Sequence, residues 1–147
     1  MKYELKKSIE INAPKEQVWD VLINDKFTRL WYAEFSEGTY AETDWTVGGK
    51  AVFKDNSQSG IVGEIIANKP NEVLSLEYKG VVKDGKEDYE SEEAESVKGG
   101  HETYLLSEKN GVTDLSIECD TSDAYLATME PMWDKALQKI KSLSESL

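Results

Sequence analysis

From Ser122 to Leu147, Leu126, Met129, Trp133, Leu137, Ile140 and Leu143 recur at helical spacing and make one apolar stripe. Asp134, Lys135, Gln138, Lys139 and Lys141 lie mostly off it. Between Phe35 and Cys119 the chain reads instead as strands and turns. An antiparallel sheet has one face to bury, and a single long amphipathic helix carries the matching surface. Pro131 interrupts the stripe. It predicts a kink, or a helix that begins properly only at Pro131.

The rest of the chain falls into place around that helix. Tyr3, Leu5, Ile9 and Ile11 alternate with polar residues, which predicts a half-buried strand over Lys2 to Ile11. Asn12-Ala13-Pro14 ends it, with Asn12 suited to cap a helix and Pro14 to its first turn. Val18, Trp19, Leu22 and Ile23 then recur at helical spacing, and a second short helix is expected over Lys26 to Trp31. Six strands follow, at Gly38–Trp45, Lys50–Lys54, Gly60–Ala67, Glu72–Lys79, Gly99–Glu108 and Val112–Asp120. Asn110-Gly111 is the strongest hairpin signal. A two-residue turn there pairs Leu106 with Leu115, Tyr104 with Ile117 and Glu102 with Cys119, so the apolar members share one face.

Charge and cysteine usage exclude several functions. The 147 residues carry a formal net charge of -12. Nucleic acids and anionic membranes both call for a basic face, so neither partner is expected. No apolar run approaches a membrane span, and no apolar stretch follows Met1 in the manner of a signal peptide. A cytoplasmic domain is the expectation. Cys119 is the lone cysteine, which rules out an internal disulfide and a cysteine-based zinc site. No metal and no cofactor is expected. Asp84 to Ser96 holds seven acidic residues and one lysine, a net of -6. With almost no apolar residues it reads as a mobile insertion, at about 83–98, that stays out of the core.

The chain has no GxSxG, P-loop, GxGxxG or HExxH motif. His101, the one histidine, falls on the strand face opposite Tyr104 and Leu106. Cys119 falls on the other face, as a buried and inert thiol. The aromatic residues Trp31, Tyr32, Trp45, Phe53, Tyr78, Tyr104 and Trp133 mostly point inward, and Glu64 and Glu102 are the candidate inner-face carboxylates. A buried unpaired carboxylate has a raised pKa and suits acid–base work.

Several stretches together carry a resemblance. They are Ala13-Pro14-Lys15-Glu16-Gln17-Val18-Trp19-Asp20-Val21-Leu22, Trp31-Tyr32, Val47-Gly48-Gly49, and Gly63-Glu64-Ile65-Ile66 leading to Pro70. Leu74-Ser75-Leu76-Glu77-Tyr78, Asn110-Gly111-Val112-Thr113-Asp114-Leu115 and the final helix with Trp133 complete the series. The chain resembles the START-like (SRPBCC) superfamily. Within it, the chain is similar to the family of the heat-shock-protein-90 ATPase activator C-terminal domain. The acidic insertion is longer than that pattern needs. The resemblance implies one α+β helix-grip domain over 1–147. Its parts are a curved antiparallel sheet of about six to seven strands, two short helices after the first strand, and a long C-terminal helix across the sheet.

The resemblance and the inward aromatics imply non-catalytic binding of a small hydrophobic or aromatic ligand between helix and sheet. The expected wall is Trp31, Phe53, Leu76, Tyr78, Tyr104, Met129 and Trp133, with Glu64 and Glu102 as polar contacts. The Tyr78 and Tyr104 hydroxyls would orient a polar group of the ligand. One alternative is a chaperone-associated interaction, in which the acidic run steers a protein partner with a basic patch. The other is a cyclase- or aromatase-like enzyme using Glu102 or Tyr104 in the same cavity.

Overall fold

The computed structural model describes residues 3–147, the side chain of Asp123 apart; Lys2, placed in the first strand above, lies outside them. Strand β1 (Tyr3–Ile11) leads to helices α1 (Lys15–Ile23) and α2 (Asp25–Tyr32). Strands β2 (Tyr40–Glu42), β3 (Lys50–Lys54), β4 (Gly60–Lys69), β5 (Val73–Lys83) and β6 (Lys86–Asp88) follow. Then come helix α3 (Glu92–Val97), strands β7 (His101–Lys109) and β8 (Val112–Thr121), and helix α4 (Asp123–Glu145). All strand pairs are antiparallel, in the order β1-β8-β7-β5-β4-β3-β2, with β6 added beside β5. This is the expected helix-grip arrangement.

The Asn110-Gly111 hairpin has the register expected from its sequence, with Glu102 opposite Cys119, Tyr104 opposite Ile117 and Leu106 opposite Leu115. Both turn residues take positive φ, 54° and 80°, as a two-residue hairpin turn requires. Leu74, Leu76, Tyr104, Leu115 and Ile117 are all buried on the inner face. That face is covered jointly by α1, α2 and α4, with Val18, Trp19, Val21, Leu22, Phe27 and Trp31 contributing as much as the last helix. In α4, Trp133, Ala136, Leu137 and Ile140 are buried, while Leu126 and Met129 are only partly covered.

Four local expectations need correction. Helix α4 runs from Asp123 through Pro131, so it does not start at the proline. Lys7, at an odd position of β1 where the alternation calls for an apolar residue, reaches Asp134 at 2.7 Å and Glu130 at 3.8 Å on either side of Pro131. Asn12 does not cap α1: Pro14 holds the cap position, and the Asn12 amide donates to Glu145 at 2.8 Å instead. Strand β2 is only Tyr40–Glu42, because the Thr43 and Asp44 side chains capture the amides of Trp45 and Thr46 at 3.0 and 2.9 Å and turn the chain.

The fourth correction concerns the acidic insertion, which is ordered structure and joins the core. Asp84-Gly85 turns with φ of 51° and 77°, and Lys83 pairs with Lys86 to extend β5 into β6. Ser91 caps α3 by accepting from the Ala94 amide at 3.1 Å, and Glu92, Glu93 and Glu95 sit in its first turn, where the helix dipole favours negative charge. Ala94 is fully buried and Val97 packs against the main core. Two small apolar side chains at the right positions suffice to anchor the segment.

Two predictions follow from this packing. Trp133→Ala should cost about 3–5 kcal/mol of stability in urea unfolding, as expected for truncation of a buried tryptophan. Ala94→Leu should cost about 1–3 kcal/mol by overpacking the α3 contact, a loss that a floating insertion would not show.

Candidate functional site

Where the exposed first half of α4 stands over the sheet, a cavity of about 380 Å³ remains between the helix and strands β3, β4, β5 and β7. Trp31, Phe53, Tyr78, Tyr104, Met129 and Trp133 line it, together with Glu102. Leu76 does not: it is buried in the core among the side chains of the inner face. Glu64 is not on this face at all. Side chains alternate along a strand, and Ile61 and Ile65 of β4 point inward, so Glu64 points to the opposite face, beside Lys50, Val62, Lys79 and Tyr89.

The aromatic wall draws on α2, β3, β5, β7 and α4. Trp31 is fixed by donating its indole N–H to the Val21 carbonyl at 2.9 Å. Its ring lies 6.3 Å from Tyr104 and 6.5 Å from Trp133, and those two are 6.1 Å apart, so the three rings meet as a cluster. Phe35 packs edge-on against Trp133 at 4.8 Å, and Tyr32 against Phe53 at 5.9 Å. Phe35, Ile61 and Met132 also line the cavity and were not singled out from sequence. Phe35 follows α2 in a non-repeating loop, where periodicity gives no face.

Glu102 is the polar centre. Tyr78 donates to its Oε1 at 2.6 Å and Tyr104 to its Oε2 at 2.5 Å. The register explains the meeting. Glu102 of β7 lies between Leu76 of β5 and Cys119 of β8, and each tyrosine sits two residues along its own strand on the same face. Glu102 keeps some exposed surface because it opens onto the cavity, yet enough protein surrounds it for burial to push its carboxyl above the usual range. The two hydroxyls oppose that shift. Burial, then the Glu102 charge, holds Tyr78 and Tyr104 well above the ordinary phenol value. The tyrosine hydroxyls therefore donate to Glu102, which itself lines the cavity.

Cys119 lies 3.5 Å from the Tyr78 hydroxyl, and burial, reinforced by the Glu102 charge, pushes its thiol up to about 12. It is buried, as expected. His101 sits on the outer face between Glu77 and Asp120, each at 3.5 Å, with its side chain 47% exposed. It reaches neither Cys119 nor Glu102 as a base. At the mouth, Asp55 accepts from the Ser36 hydroxyl at 2.7 Å, the Ser57 hydroxyl at 2.6 Å and the Ser59 amide at 3.2 Å. These bonds, Ser36 first, draw its carboxyl down to about 2 and tie the loop after α2 to the β3–β4 turn. Among the described residues no group of three or more His, Cys, Asp and Glu is placed to hold a metal ion. None of the described helices is long and apolar enough to cross a membrane.

Residues 12–145 match the family model described as Activator of Hsp90 ATPase homolog 1-like protein. Among solved structures, the chain is similar to protein MLL2253 from Mesorhizobium loti, with 15% identity, a TM-score of 0.75 and 96% of each chain covered. It is similar to the Aha1 dimer from Colwellia psychrerythraea, with 18% identity, a TM-score of 0.73, and 97% of this chain and 96% of that one covered. CalU16 from Micromonospora echinospora gives 20% identity and a TM-score of 0.68 over 96% of this chain and 75% of that one. At these identities the likeness shows the fold. No curated protein matches the sequence significantly.

Tyr104→Phe tests the central polar cluster. It strips one donor from a buried carboxylate and should cost about 1–3 kcal/mol at neutral pH. Losing that donor raises the folded-state pKa of Glu102 further above its unfolded value. The penalty applies to the ionised form, so it should shrink as pH falls toward the ordinary carboxylate range, where Glu102 takes up a proton. Urea unfolding at neutral and acid pH measures both.

Proposed function

The chain belongs to the Activator of Hsp90 ATPase homolog 1-like family, and on that premise we propose that it binds a small, largely apolar molecule between α4 and the inner face of the sheet. The observation that carries this reading is the cavity itself. At about 380 Å³ it falls in the range of ligand sites, and its wall is aromatic and apolar with one deep polar group, as such sites usually are. A domain with no use for the space would gain stability by filling it.

The reading is binding without chemistry. A nucleophile needs a base within hydrogen-bond reach. His101 lies on the other face, and Cys119 is held as the thiol. Acid–base work by Tyr104 has less support, because its proton is already given to Glu102. The acidic run offers less to a basic partner than its composition implies. Glu87 is paired with Lys50, Glu93 with Lys83 and Glu95 with Lys98. Steering by the remaining net charge stays a weaker second reading.

Ile61→Trp is the test. Ile61 points into the cavity from β4, so a larger ring there should occupy the space without disturbing the buried core. The wild-type melting temperature should rise with the concentration of an apolar ligand, by mass action. In Ile61→Trp the free protein should melt at or above the wild-type temperature and the ligand-dependent rise should vanish. A full ligand-dependent rise in the filled variant would move the site elsewhere.

A further inference from the structure

We infer that the cavity selects molecules that carry an ammonium group on an apolar or aromatic body, with Glu102 as the counter-ion. The inference deepens the binding reading above and rests on it. The lining includes two carboxylates, Glu102 and Asp55, and no lysine, arginine or histidine. Among the described residues Glu102 makes hydrogen bonds to hydroxyls but no ion pair, so its negative charge has no partner in the fold.

A carboxylate can accept about four hydrogen bonds, and Tyr78 and Tyr104 supply two. Capacity for a further donor remains. Both tyrosine protons are already given to Glu102, so neither hydroxyl is free to donate to an incoming carboxylate. Asp55 is different: the Ser36 and Ser57 hydroxyls and the Ser57 and Ser59 amides already supply four hydrogen bonds to it at the mouth. That leaves Glu102 as the one charged group in the chamber with unused capacity.

The surrounding rings favour the same ligand. Trp31, Tyr104 and Trp133 meet within 6.1–6.5 Å of one another beside Glu102. Tryptophan and tyrosine rings attract cations, more strongly where water is excluded. A buried anion without a counter-ion is costly, and an entering cation removes that cost in a way a neutral alcohol cannot. An entering anion adds to it. Selectivity of this kind comes from the repulsive element as much as from the attractive one.

Three naphthalene probes of similar shape and different charge separate the terms: naphthylmethylamine, naphthylmethanol and naphthoate. Calorimetry on the full chain should show the amine binding at least about tenfold more tightly than the alcohol, with naphthoate weakest. Glu102→Gln should abolish the amine's advantage, so that amine and alcohol bind that variant to within about twofold of each other. The ranking in the wild-type chain decides the matter even if that variant fails to fold. An alcohol that binds as well as the amine, or naphthoate binding best, overturns the cation preference and leaves the cavity reading standing. Failure of all three probes to bind overturns both.

Discussion

One helix cannot cover this sheet. The inner face runs across β1, β8, β7, β5, β4 and β3, and α4 presents a single stripe that is well buried only from Trp133 onward. The hydrophobic effect rewards closure of the whole face, so the deficit must be met by other elements. Helices α1 and α2 meet most of it, with Val18, Val21, Leu22 and Trp31 all at or near zero exposure. What they leave open lies beneath the first half of α4. The cavity is thus a remainder of the packing problem, and α2 contributes Trp31 and Tyr32 to its aromatic wall.

The polar centre depends on a feature far away along the chain. Glu102 meets Tyr78 only if β5 and β7 keep their register, and a slip of one residue between them would put the two side chains on opposite faces. The β7–β8 register is pinned by Asn110-Gly111, whose left-handed conformations suit those two residues. A bulge at Lys79 in β5 follows Tyr78 directly, since Gly63 pairs with Tyr78 and Val62 with Gly80. It re-aims the strand just beyond the site, a usual place for such an irregularity.

Most of the fold was readable because its signals are periodic. The alternation in β1, β7 and β8 and the stripe of α4 each assign a face, and the structure follows them. The aromatic wall was readable for the same reason at Phe53, Tyr78, Tyr104 and Trp133. Where alternation was not applied, the expectation failed: Glu64 has the parity of the outer face, opposite to Ile61 and Ile65. Leu76 has the right parity but lies too deep to reach the cavity, and parity carries no depth. The acidic segment misled through its composition. Asp84-Gly85 carries the same type of turn signal as Asn110-Gly111, and Ser91 is a good cap, but both were outweighed by a count of charges. Phe35 and Ser36 sit in a loop whose placement is tertiary, fixed by Asp55 and Trp133 from distant parts of the chain.

The four tryptophans offer the most direct test, because each indole N–H gives its own signal in a proton–nitrogen NMR spectrum. Trp31 and Trp133 line the cavity, whereas Trp19 is buried on α1 away from its wall. On titration with naphthylmethylamine, the account predicts that the Trp31 and Trp133 indole signals shift together and saturate, while the Trp19 signal stays in place. Saturable shifts at Trp19 with Trp31 and Trp133 unmoved would contradict it, as would a spectrum in which no indole responds.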